Sequence, residues 1–209
     1  MYAFIKFLVR LYFRIMYSLH YEGRDNIPKD TTVIYASNHR SYADPPLVGT
    51  GTRGKLSFMA KEELFKKQPF AWLIRSLGAF PVARGKGDTG VIDTAVERLN
   101  SGSSLMIFPE GTRSKDGKVH KGHTGAALIA ARSGKPIVPV GVVYGEKLKF
   151  RTKLTVKYGE PILPQDYVDS SDEPNPRQLV KLKNRYMADI KLLVEGEPEL
   201  KEKGESDNE

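Results

Sequence analysis

The stretch SNHRSYADPP (37–46) places a carboxylate, Asp44, five residues after a histidine, His39. A carboxylate that accepts a hydrogen bond from one imidazole nitrogen fixes the tautomer and leaves the other nitrogen free as a base. On a helix the two side chains would face apart, because five residues turn about 140° past a full revolution. A loop avoids that. The run TVIYAS (32–37) reads as a strand, and Asp-Pro-Pro reads as an N-cap followed by prolines that open a helix. His39 is then expected at the strand's C-terminal end, with Asp44 looped back toward it.

A second stretch, FPEGTRS (108–114), follows an apolar strand that Pro109 ends. Glu110, Gly111, Thr112 and Arg113 are expected to form a tight loop. Gly111 lets the backbone approach a ligand and offers its amide as a donor. Arg113 presents a planar fork that matches phosphate oxygens. Glu110 is expected to orient that arginine or to accept from a ligand hydroxyl. In GAFPVARGKGD (78–88), Arg84 lies just past another strand, with Lys86 and a helix N-terminus adding positive potential. Lys61, in FMAKEELF, falls at a strand-to-helix junction. PIVPVGV (136–142), with Pro139, reads as an apolar wall.

These residues need strands and helices to hold them. Strand-like runs occur at 32–37, 55–60, 78–83, 103–108, 136–144 and 153–159. Helical stretches lie between them at 61–78, 88–102 and 120–134, stopped by Gly78, Gly102 and Gly134, and a last helix is expected from Asn175 to Val194. Alternating strands and helices predict an α/β fold: one domain with a mixed central sheet flanked by helices and function at the strand ends. Two glycine patterns mimic dinucleotide fingerprints. GTGTRG (49–54) follows no strand, while GKGDTG (85–90) follows one that carries Pro81 and lies outside the first βα unit. His120 and His123 are read as ordinary polar residues, since two histidines without a well-placed carboxylate make a poor metal site.

The chain has no cysteine, which excludes disulfide and thiolate chemistry. Its formal net charge is +8. The last fifteen residues hold seven acids against two lysines, which leaves +13 on the remainder. A body this basic suggests an anionic partner. The N-terminal MYAFIKFLVRLYFRIMYSLH carries Lys6, Arg10 and Arg14 as one helical stripe, with Phe4, Phe7, Leu8, Leu11, Ile15 and Tyr17 over much of the rest. Three cations within about twenty residues argue against a simple spanning helix. An interfacial helix is expected instead, apolar side in the acyl boundary and cations at the headgroups. The boundaries implied are a membrane-interfacial helix at 1–21, a catalytic domain at 22–194 and an acidic, disordered tail at 195–209. A base, phosphate-binding arginines and a membrane-seeking helix suit deprotonating an alcohol on a phosphorylated lipid so that it attacks an activated acyl group. Cations at 147, 149, 151, 153 and 157 are read as lining one face of an edge strand, facing solvent, a nucleic acid or an acidic acyl carrier.

Four blocks, NHRSYADP, GAFPVAR, FPEGTRS and PIVPV, occur in the order found in the 1-acylglycerol-3-phosphate acyltransferases, the glycerolipid acyltransferase family that makes phosphatidic acid. The chain resembles that family across residues 37–140, about half its length. The resemblance implies His39 as base, Asp44 as its orienter, and Arg84, Glu110, Gly111, Thr112 and Arg113 on the phosphoglycerol of the acceptor. Lys61 is implied to assist, and Pro139 to support the fourth block. It further implies an acyl thioester co-substrate, acyl-CoA or acyl-ACP, and no metal or other cofactor. The acceptor implied is the sn-2 hydroxyl of lysophosphatidic acid. Glycerol 3-phosphate or another lysophospholipid would use the same blocks. The implied setting is the cytoplasmic face of a membrane, peripheral or monotopic, with a short N-terminus similar to bacterial members and no nucleic-acid partner. A non-enzymatic basic module would leave His39, Asp44 and the EGTR loop unexplained.

Overall fold

Seven short apolar runs become the strands of one sheet in the computed structural model, which describes residues 2–82, 89–169 and 174–196. The strands are β1 (Ser18–Glu22), β2 (Ile34–Ser37), β3 (Lys55–Lys61), β4 (Ala79–Val82), β5 (Ser103–Ile107), β6 (Ile137–Tyr144) and β7 (Lys153–Tyr158). Their order is β1-β7-β6-β2-β5-β3-β4, and every neighbouring pair is parallel except β6 with β7. The expected mixed α/β architecture is therefore observed. The β2 residues Ile34, Tyr35, Ala36 and Ser37 are all buried, as befits a central parallel strand covered on both faces.

Helices cover both faces. On one face α4 (Thr89–Asn100), α5 (Gly125–Ser133) and α6 (Pro176–Glu195) pack over Ile34, Leu105 and Ile137 through Leu99, Ile129, Leu182, Tyr186 and Ile190. On the other, α1 (Tyr2–Met16) and α2 (Asp44–Gly51) pack over Tyr35, Met106 and Val138. A short α3 (Phe70–Ser76) closes a small cluster of Phe65, Ala71, Ile74 and Ala79. Each fully buried aliphatic side chain contributes about 1.5–3 kcal/mol relative to exposure.

Several sequence expectations change. The single helix expected over 61–78 is broken. β3 runs through Lys61, a 3-10 turn takes Glu62–Phe65, and α3 starts only after Pro69. Proline lacks the N–H a helix interior needs and drives the residue before it to extended geometry. The 120–134 helix starts at Gly125 because backbone upstream is used elsewhere: His120 N–H on Glu110, His123 N–H on the Pro109 carbonyl. The last helix runs as expected, with Asn175 capping the Arg177 N–H. β7 is not an edge strand, because β1 lies outside it. Lys147, Lys149 and Arg151 precede β7 and do not continue its face. The acidic tail beyond Gly196 and the Arg84–Asp88 segment lie outside the described residues.

The largest correction concerns α1. The helix ends at Met16, and Ser18–Glu22 forms β1. Two cations of its stripe, Lys6 and Arg10, turn toward the body, while Arg14 stays exposed. Lys6 donates to the Thr52 carbonyl at 2.9 Å, Arg10 stands over the Tyr21 ring, and Phe13 is buried in the core cluster beneath the helix. Tyr17 stacks on Phe13, so it does not share the apolar face expected of it. Phe4, Phe7, Leu8, Leu11, Tyr12 and Ile15 face outward, all exposed. Burial, with Arg24 and Arg10 close by, pushes the Lys6 ammonium down to about 8, below its ordinary 10.5. In that window the unfolded chain binds a proton that the folded chain has lost, so Lys6 makes stability rise with pH. In urea titrations, Lys6→Met should show a smaller gain in unfolding free energy than wild type across the same window. Equal gains in the two proteins would mean that Lys6 is not buried.

Candidate active site

The C-terminal ends of the parallel strands form one edge of the sheet, and the chemistry collects there. β2 ends at Ser37, and Asn38 prolongs its pairing with β6 by a side chain. The buried Asn38 amide donates to the Val142 carbonyl at 3.0 Å and accepts the Val142 N–H at 2.7 Å. His39 comes next, at the mouth of the sheet. Its N–H donates to Glu110 Oε1 at 3.1 Å, and its carbonyl accepts the Ser114 N–H at 2.7 Å. The loops after β2 and β5 are thereby stitched together.

His39 Nδ1 lies 2.9 Å from Asp44 Oδ2. An ionised carboxylate only accepts, so Nδ1 carries the proton and Nε2 keeps its lone pair. The same oxygen accepts the N–H groups of Arg40 at 2.6 Å and Ser41 at 2.7 Å. Three groups converge on this one fully buried oxygen and fix the Asp44 carboxylate in place. The expected N-cap role is corrected here. α2 begins at Asp44 itself, Ala43 stands before it, and the carboxylate serves the preceding loop instead. Phe108 stacks on the imidazole, with ring centroids 4.0 Å apart and planes 20° from parallel. The His39 side chain is 14% exposed, so imidazole and solvent meet only over a small part of the ring.

The EGTR loop differs from expectation in two places. Glu110 is 5% exposed, and both its oxygens take backbone N–H groups, His39 on Oε1 and His120 on Oε2 at 3.0 Å. It holds the loops and does not orient Arg113. Gly111 has φ +67°, the left-handed conformation that favours glycine, and an added Cβ would lie 3.3 Å from the His123 ring. Its N–H donates to the Phe108 carbonyl at 3.0 Å, so that donor is spent inside the turn. Arg113 is exposed and leans on Tyr42, its guanidinium 3.9 Å from the ring centroid and Nη2 3.2 Å from the hydroxyl. Tyr42 belongs to the His39–Asp44 loop, so that loop and Arg113 are joined through it.

Arg40, Thr112, Arg113, Ser114, Lys115, Tyr144 and Glu146 line a cleft of about 390 Å³. Arg40 crosses from the His39–Asp44 loop to the end of β6, donating to the carbonyls of Tyr144 at 2.7 Å and Gly145 at 3.0 Å. A second cavity of about 300 Å³, among Lys29, Thr32, Arg53 and Ser104, opens at the far end of β2 and β5, away from His39. Lys61 ends β3 on the same edge as His39 but two strands away, beside Val82, and is exposed. Pro139 pairs with Ala36 in β6 and is buried, a wall beside β2. His120 pairs with Asp116 at 2.8 Å, and that bond draws the Asp116 carboxyl down to about 2. Among the described residues, no three His, Asp or Glu side chains gather in a way that could hold a metal. Phe108, Asn38 and Arg40 escaped sequence reasoning, since each acts through a partner distant in the chain or through ring packing.

The acyltransferase family profile matches residues 18–143. A 1-acyl-sn-glycerol-3-phosphate acyltransferase of Streptococcus pneumoniae is 36% identical over 173 residues, 79% of this chain and 64% of its own length. The chloroplastic 1-acyl-sn-glycerol-3-phosphate acyltransferase LPAT1 of Arabidopsis thaliana is 34% identical over 59% of this chain and 35% of its own. The chain thus spans less than two thirds of the length of these two relatives. The crystal structure of the 1-acyl-sn-glycerophosphate acyltransferase PlsC from Thermotoga maritima superposes with a TM-score of 0.70 at 30% identity, over 90% of this chain and 79% of that one.

Proposed function

The chain belongs to the acyltransferase family, and on that premise we propose that it transfers an acyl group from a thioester to the sn-2 hydroxyl of 1-acylglycerol 3-phosphate, giving phosphatidic acid. The observation that carries the reading is the His39–Asp44 pair joined, through Tyr42, to Arg113 at one mouth of the sheet. His39 Nε2 takes the proton of the acceptor hydroxyl. The oxygen attacks the thioester carbonyl, and the tetrahedral intermediate collapses by breaking the C–S bond. The imidazolium returns its proton to the leaving thiolate, of coenzyme A or of an acyl carrier protein. Asp44 stabilises the imidazolium while that proton is held. Arg113, with Arg84, binds the acceptor phosphate. Lys61 adds positive potential along the same edge. Glu110, Gly111 and Thr112 serve the site by shaping the loop.

No helix among the described residues is long and apolar enough to cross a membrane. α1 is read as lying in the interface of a bilayer, its outward face of Phe4, Phe7, Leu8, Leu11, Tyr12 and Ile15 in the acyl boundary. Lys6 and Arg10 serve the fold, and the exposed Arg14 is left to the headgroups.

The reading is tested by turnover of lysophosphatidate against glycerol 3-phosphate and against a lysophospholipid without a phosphate monoester, at fixed acyl donor. Lysophosphatidate should be preferred. Arg113→Gln should raise KM for lysophosphatidate by about ten- to a hundredfold, the loss of a charge-assisted contact of about 1.5–3 kcal/mol, with kcat changed less. An unchanged KM would remove Arg113 from the phosphate site.

A further inference from the structure

We propose that α3 is a second membrane contact, which seats Phe70, Trp72 and Leu73 in the surface of a bilayer containing anionic lipid. The proposal rests on the reading that α1 lies in that bilayer. α3 has seven residues, and only Ala71 and Ile74 are spent on the small cluster beneath it. Its other side turns large apolar groups outward: Phe70 is 47% exposed, Trp72 55% and Leu73 38%. Nothing among the described residues covers them. A short helix on a soluble surface has no need of an aromatic pair and a leucine there, whereas aromatic side chains beside cations suit the headgroup boundary. The cations are present. Lys61, Lys66, Lys67 and Arg75 are exposed around the segment, against two exposed acids, Glu62 and Glu63, so the local balance favours an anionic surface.

Placement supports the same partner. Phe58 touches both the cluster under α1 and α2 and the cluster under α3. The three helices therefore cover one face of the sheet, and two of them turn apolar side chains away from it. A single surface can meet α1 and α3 together. α3 also follows the C-terminal end of β3, the edge that carries His39. Contact there would bring the reacting edge to the plane where a lysophospholipid presents its headgroup. A protein partner such as an acidic acyl carrier would explain the lysines but not the shared side with α1.

Trp72 is the chain's one tryptophan, so its fluorescence reports α3 without labelling. The full chain is mixed with vesicles of phosphatidylcholine and phosphatidylglycerol. Sedimentation reads binding, and Trp72 emission reads insertion. The emission should move to shorter wavelength and be quenched by lipids brominated on their chains. The double variant Phe70→Ser, Leu73→Ser should keep its thermal midpoint, because both residues are exposed, and should bind vesicles about tenfold more weakly. Sedimentation with unmoved, unquenched emission would leave α1 as the anchor and overturn the role of α3. Failure to sediment would overturn the membrane reading and this proposal together. A shift produced without vesicles, by raising the protein concentration or adding an acyl carrier protein, would assign the face to a protein partner and overturn it.

Discussion

His39→Ala is expected to lower kcat for acyl transfer by about a hundred- to ten-thousand-fold while the protein stays folded. The fold should survive because the ring itself carries little of it. The backbone N–H and carbonyl of His39, not its side chain, join the loops through Glu110 and Ser114. Loss of the imidazole removes the stacking on Phe108 and leaves Asp44 with two of its three donors. The sn-2 hydroxyl then has no positioned base, and an alcohol with its proton is a poor nucleophile toward a thioester. KM for lysophosphatidate should change far less than kcat, because Arg113 and its neighbours remain in place. A variant whose kcat fell less than tenfold would point to a different base. Parallel thermal melts of variant and wild type separate loss of chemistry from loss of structure.

Asp44 carries the second large effect, and two substitutions divide its roles. Asp44→Asn keeps shape and one carbonyl oxygen for the N–H groups of Arg40 and Ser41. It removes the negative charge that the proposed mechanism sets against the imidazolium, so kcat should fall by about a thousand- to ten-thousand-fold. Asp44→Ala also strands those two buried donors, at about 1–3 kcal/mol for each unsatisfied group, so its thermal midpoint should fall as well. The contrast matters. Equal destabilisation by both variants would mean that the charge itself holds the loop. Full activity in Asp44→Asn would mean that the carboxylate is structural only. Because three donors converge on Oδ2 at full burial, both losses are expected to be large.

The site residues close in sequence were legible, and those joined through the fold were not. His39 and Asp44 are five residues apart, and the strand before them and the prolines after them fix the loop between. The apolar run before FPEGTRS likewise marks a buried strand that ends on its loop. From the sequence, Glu110 is expected to orient its neighbour Arg113 or to accept from a ligand hydroxyl. Its true partners include an N–H 71 residues away, and only strand order brings β5 beside β2. Asn38 is tied to Val142 across 104 residues, which periodicity gives no means of finding. The N-terminal helix shows a different limit. Its pattern separates an apolar face from a cationic one, but amphipathicity does not say which medium each face meets. Here Lys6 finds a carbonyl and Arg10 an aromatic ring on the body, Arg14 stays exposed, and the apolar face is left outside. Likewise, β1 is five residues long, and its pairing with β7 is visible only once the sheet is assembled.

The most direct test of the account is phosphatidic acid formation by purified protein on vesicles holding lysophosphatidate, with an acyl thioester supplied, wild type beside His39→Ala. The account predicts steady product formation, with free thiol released in equal amount, from wild type only. Equal rates from both proteins, or thiol release without phosphatidic acid from wild type, would contradict it.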